Sequence, residues 1–217
     1  MSRPRTATTG ARPARRIARS VAALALAVLP GLGVLTATGA SSSTTIPQTT
    51  EPPYGASLDA RMATLWHDIA LGSLPLAERL FFPESAYVAM KTRRIANPTS
   101  DYVNRLIGFF KLDLTAYHSY LFTHGAVTFL GTNVNRADAL WIHPGWCENS
   151  IGYWHVPGVR LVYRLGHVVR SVAVASLISW HGVWYVVHLG PNPRPSNVGT
   201  VAAPSLGRGI AGPAGGC

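Results

Sequence analysis

The chain has 217 residues, 47% of them hydrophobic, two cysteines and a formal charge of +10. The hydrophobic share excludes a disordered polymer, and two cysteines are too few for a zinc site of about four ligands. The charge does not imply a nucleic-acid partner: six arginines stand in the first twenty residues and every acid comes later, leaving 13 Lys+Arg against 9 Asp+Glu, scattered along the chain.

The order of elements begins with a basic stretch (Arg3, Arg5, Arg12, Arg15, Arg16, Arg19), an apolar run from Val21 to Val34, and the small residues Thr36 to Ala40. Basic, then apolar, then small is the pattern of an export signal. Residues 1–40 are therefore expected to be a signal peptide, and the protein to be secreted or associated with the cell envelope. Two fates are open to it. Cleavage after Ala37-Thr38-Gly39 or Thr38-Gly39-Ala40 is the first expectation. An uncleaved anchor is the alternative, although a span of about twenty apolar residues is reached only by counting Gly, Pro and Thr. Membrane contact is expected only through this leader. Arg15-Arg16 lacks the bulky apolar pair of a twin-arginine signal, so the general secretory route is expected.

Residues 41–56 read as a Ser/Thr/Pro spacer, solvated and extended. From Ser57, Met62, Leu65, Trp66 and Ile69 fall at helical spacing, with Ser57 as N-cap and Gly72 as stop. A short helix is expected from Ser73, with Pro75 in its first turn, ending before Pro83. Ser85 to Lys91 reads as a short strand. A loop through Asn97-Pro98 follows, then a helix capped by Ser100 and a further one capped by Asp113.

After Gly125 the chain is rich in Val, Leu, Ile, Trp and Tyr. Five segments, 126–130, 139–143, 159–165, 168–180 and 183–189, are separated by turn residues and predict a β-meander. His181-Gly182 suits a two-residue hairpin turn. That turn sets a register pairing Trp180 with Val183, Ile178 with Tyr185 and Ser176 with Val187 on one face. Ser179 with Trp184, Leu177 with Val186 and Ala175 with His188 occupy the other. Residues 191–217, with five Pro and six Gly, read as a flexible tail. Helices followed by an antiparallel sheet define an α+β domain over residues 57–190.

In an exported protein, Cys147 and Cys217 are expected to form a disulfide, worth up to roughly 4–5 kcal/mol for a loop of about 70 residues; two separate thiols are the other reading. His188 beside the small Ala173 and Ala175 marks a candidate pocket. The aromatic stretch 141–164 adds Tyr153, His155 and Tyr163, and the last hairpin adds Trp184, as candidate ligand-binding residues. The competing reading makes His188 a partner of a backbone carbonyl and the aromatic stretch a packed loop. Tyr117-His118 and Glu84 near Tyr87 are the only acid–base neighbours of note, and adjacent helical residues point about 100° apart. No nucleophile elbow, His-Glu-x-x-His or phosphate loop occurs, so no catalytic residue, metal or cofactor is expected.

Two stretches resemble the NTF2-like (SnoaL-like, cystatin-type) superfamily. Leu65 to Tyr87 is similar to its opening of helix, small break, helix and F-x-P-x-A; Ser179 to Leu189 is similar to its closing W-x-G-x-W hairpin. The chain also resembles a group of exported actinobacterial proteins. The resemblance implies N-terminal helices packed on a curved antiparallel sheet, an NTF2-like cone around a cavity. It also implies a non-catalytic domain that takes an apolar small molecule, lipid or cell-envelope partner. The alternatives are a small-molecule isomerase or dehydratase, and a structural module that forms a homodimer.

Overall fold

A computed structural model describes residues 45–194 and 196–213. The leader and Cys217 lie outside these residues, and with Cys217 so does the expected Cys147–Cys217 bridge. No helix among the described residues is long and apolar enough to cross a membrane.

The first helix, α1 (Ala56–Ala70), buries Leu58, Met62, Leu65, Trp66 and Ile69, the stripe its sequence spacing predicts. Burial of each such side chain contributes about 1.5–3 kcal/mol. Its N-cap is Gly55, at φ 68°, rather than Ser57. The chain leaves α1 through Gly72, whose φ of 59° lies in the left-handed region a glycine adopts without strain. It re-enters a short α2 (Leu74–Ala77) with Pro75 in the first turn.

Ser85 to Lys91, expected as a strand, lies within and just beyond the helix α3 (Glu84–Met90). Ala86, Tyr87 and Met90 are its buried residues, a helical spacing that a run of seven residues leaves ambiguous with alternation. A continuous helical run then covers α4 (Pro98–Asp101), a π-turn at Tyr102–Leu106 and α5 (Ile107–Phe122). Asn97, not Ser100, caps it: the Asn97 side chain accepts from the Ser100 N–H at 2.9 Å. Asp113 caps nothing and sits buried in the middle of α5. The π-turn shifts the helical phase, which leaves Val103 exposed while Leu106, Ile107 and Phe110 are buried.

The sheet is antiparallel, curved and unclosed, with six strands: β1 (Val127–Asn133), β2 (Leu140–Ile142), β3 (Tyr153–Leu165), β4 (Val168–Trp180), β5 (Val183–His188) and β6 (Ala202–Leu206). Strands β3 and β4, 13 residues each, form a hairpin roughly 40 Å long. Each carries two shorter strands along its outer edge. On β3, β1 pairs residues 160–165 and β2 pairs 153–155; on β4, β5 pairs 176–180 and β6 pairs 170–173. The β4–β5 turn has φ 45° at His181 and 76° at Gly182, two left-handed residues that match the strand twist.

The register from that turn holds for three cross-strand pairs, Trp180–Val183, Ser179–Trp184 and Ile178–Tyr185, and for Leu177–Val186 beyond them. It then shifts at a bulge between Ser176 and Leu177, so His188 lies opposite Ser176 instead of Ala175. Ala173 and Ala175 pack instead with Ala202 of β6 in a small separate cluster. The bulge changes which residue faces the histidine.

Both segments expected to be loose are part of the domain. In the spacer, Gln48 donates to the carbonyls of Gly152 (3.2 Å) and Ser179 (3.1 Å), and its Oε1 accepts from the His181 N–H (2.8 Å). Thr49 O accepts from Trp154 Nε1 at 2.9 Å, and Tyr54 packs on Trp184. In the tail, β6 pairs β4, and Arg194 forms a bidentate ion pair with Asp113 at 2.9 and 2.6 Å, both side chains at most 3% exposed. Asp113 also accepts from the Gly190 and Thr200 N–H groups. Next to it, the Tyr117 hydroxyl shares its one proton between Ala173 O and Leu189 O and accepts from Ala202 N–H. A Pro/Gly-rich composition cannot form a core alone, but here a buried carboxylate and a buried phenol supply its anchors.

Candidate functional site

A cleft of about 530 Å³ opens where α3, the 91–95 segment and the end of the π-turn meet one end of the sheet. One antiparallel bridge builds its rim. The loop 145–148 has Gly145, Cys147 and Glu148 all at positive φ (92°, 52° and 59°). For the last two this conformation costs on the order of 1 kcal/mol or more each. The loop is held by the bridge between Lys91 and Asn149, made by Thr92 N–H donating to Glu148 O at 2.8 Å and Ser150 N–H donating to Met90 O at 2.7 Å. Trp146 stands exposed at its tip.

The floor is mixed. Phe82, Met90, Leu106, Ile142, Ile178 and Val187 provide apolar surface. From the sheet side, the polar groups are Tyr153 and His155 of β3, Ser176 of β4 and His188 of β5. His155 Nε2 lies 2.7 Å from Ser176 Oγ, and His188 Nε2 lies 3.1 Å from Asn192 Nδ2, which makes that nitrogen the acceptor of an amide N–H. Burial pushes the His155 imidazole down to about 4. Burial, helped by the positive charges of Arg105 and Arg194, pushes His188 down to about 3. Both rings are neutral at pH 7. Burial raises the Tyr153 phenol to about 12.

The helical side is charged. Arg105 donates from Nε to Asp101 Oδ1 at 2.7 Å and from Nη2 to Asp101 Oδ2 at 2.6 Å, and also to the Tyr87 hydroxyl at 3.0 Å. Tyr87 in turn donates to Asp101. These bonds hold the Asp101 carboxyl below its usual range, through Arg105 first, while burial and then the Asp101 contact raise the Tyr87 phenol. The three side chains satisfy one another. Lys91 differs: among the described residues its Nζ reaches only Cys147 O, at 3.4 Å, and sits 4.8 Å from the centre of the Tyr87 ring. Burial, then repulsion from Arg105, lowers its pKa.

Of the residues singled out in the sequence, Tyr153, His155 and His188 come together in this cleft. Trp184 and Tyr163 do not. Trp184 is 2% exposed and packs on Tyr54; Tyr163, also 2% exposed, packs 5.4 Å from Trp66 beside Phe129. Both are core residues, because burial of the sheet around them leaves no open space at their positions. Tyr117 and His118 are also structural, His118 Nδ1 lying 2.9 Å from Ile69 O. Glu84 is not the partner of Tyr87; Asp101 is. Sequence reading missed Lys91, Arg105, Asn149 and Ser176. The i, i+4 spacing of Asp101 and Arg105 was the one available signal, since the others reach the cleft through tertiary packing. Among the described residues, no group of three or more His, Cys, Asp or Glu has metal-binding geometry. No protein-family model, no curated protein and no solved structure matches the chain.

Proposed function

We propose that this is an exported, NTF2-like, non-catalytic domain that takes an apolar or amphipathic small molecule, lipid or cell-envelope component in the cleft above. A Cys147–Cys217 bridge would clip the cleft's rim loop to the end of the chain. The observation that carries the reading is the make-up of the cleft. Apolar side chains lie beside histidines that are neutral and an Arg105 that is paired, with Lys91 the one partly buried charge outside an ion pair, the pattern of a ligand site rather than an acid–base pair. Histidines that protonate near pH 3–4 are weak bases and hold no proton to give at pH 7.

One observation favours a second reading, a small-molecule isomerase or dehydratase. His155 and His188 converge around Ser176, on neighbouring strands. The dimerisation alternative gains no comparable support: Gln48, Thr49, Tyr54 and β6 pack on the sheet from within the chain.

Native mass spectrometry of the protein purified from its own envelope, beside an Ile95→Trp variant that narrows the cleft mouth, tests the reading. It predicts a co-purifying small molecule on the wild type and its loss from the variant. A bare wild-type chain, or equal loading of both proteins, contradicts it.

A further inference from the structure

Lys91 is a cation on which the carboxylates Glu148 and Asp101 act only through space. Among the described residues no carboxylate lies within 4.0 Å of its Nζ, and its contacts are a carbonyl oxygen and an aromatic ring. The side chain is half-buried, at the wall of the cleft. Arg105, the cation nearest in role, already has its charge paired with Asp101 through Nε and Nη2. Arg94 stands exposed at the rim, where water screens it. With Arg105 paired to Asp101, the lining leaves the positive charges of Lys91 and Arg94 against the single carboxylate of Glu148. Both histidines contribute no charge near neutrality. A partly desolvated ammonium with an unfilled hydrogen-bonding shell attracts an oxyanion, and Phe82, Met90, Leu106 and Ile178 beside it attract an apolar body.

We infer that the molecule held in this cleft is a carboxylate amphiphile, its carboxylate paired with Lys91 and its apolar part lying along Phe82, Met90 and Ile178. The inference rests on the proposed binding function and narrows its ligand class. One unpaired ammonium matches one negative charge. A dianionic phosphate head would call for a second cation outside an ion pair and away from bulk water, whereas Arg105 is paired with Asp101 and Arg94 is exposed.

The test is a titration of the full chain with dodecanoate, 1-dodecanol and dodecyl phosphate, followed calorimetrically at neutral pH. A charge-assisted contact predicts dodecanoate binding about ten- to hundredfold more tightly than dodecanol. Lys91→Met should abolish that ratio while leaving dodecanol affinity within about threefold, Lys91→Arg should retain most of the ratio, and Arg94→Gln should change it by less than about threefold. Retained dodecanol binding also shows that Lys91→Met is folded. Equal affinity for acid and alcohol overturns the inference and leaves the binding function standing. So does an acid-to-alcohol ratio that survives Lys91→Met, or a phosphate that binds about tenfold more tightly than the carboxylate. Failure of all three amphiphiles to bind overturns the inference and the binding function with it.

Discussion

Replacing Asp113 by Ala should destabilise this domain more than any loss at its surface, and the structure says why. The Asp113 carboxylate accepts four hydrogen bonds, two from Arg194 and one each from the N–H groups of Gly190 and Thr200. Its removal strands a guanidinium whose side chain is 3% exposed, and leaves two backbone donors without acceptors. Breaking a buried ion pair from one side costs about 3–5 kcal/mol, a large part of the roughly 5–15 kcal/mol that holds a domain together. The perturbation has a direction as well as a size. Asp113 lies in the middle of α5, whereas its partners lie at 190–200, so the loss should detach the C-terminal segment and β6 first. Urea unfolding measures the total, and hydrogen exchange of residues 190–206 locates it. The double replacement Asp113→Leu with Arg194→Met should recover part of the loss, since the stranded charge goes but the two N–H groups stay unpaired. A cost under about 1 kcal/mol with unchanged exchange in β6 would refute this account of the tail.

Tyr117→Phe removes a hydroxyl that bonds Ala173 O, Leu189 O and Ala202 N, and should cost about 1–3 kcal/mol by the same urea assay. Gln48→Ala should release the N-terminal segment at a cost of about 1–2 kcal/mol, seen as new protease cleavage between residues 45 and 55. Stability should fall with pH below about 6.5, the ordinary histidine pKa. His155 and His188 titrate near 4 and 3 in the folded protein, so between these values and 6.5 the unfolded chain binds more protons. The stabilisation present above pH 6.5 is lost on acidification, by about 1.4 kcal/mol per unit for each histidine. His155→Gln or His188→Gln should each reduce the slope of unfolding free energy against pH over pH 6.5–4.5; an unchanged slope in both contradicts neutral buried rings.

Local signals carried the fold well. The α1 stripe, the His181-Gly182 turn and the long β4 strand were legible because each follows from spacing within a few residues. The errors share a cause. Ser85 to Lys91 is too short for its period to separate helix from strand, and its helical form is decided by packing of Tyr87 and Met90. The tail looked unable to fold because its partners, Asp113 and Tyr117, lie far away in sequence. The bulge at Ser176 is silent in the sequence, yet it moves His188 from Ala175 to Ser176 and helps shape the cleft. Its polar side was half visible: Tyr153, His155 and His188 stood out as polar residues among apolar strands. Lys91 and Arg105 did not, since an isolated lysine or arginine ordinarily faces water.

The cleft as a binding site is the central claim, and hydrogen exchange of the full chain with and without dodecanoate tests it most directly. The account predicts added protection confined to residues 87–95, 145–149 and 176–188. Uniform protection, or none at saturating dodecanoate, would contradict it.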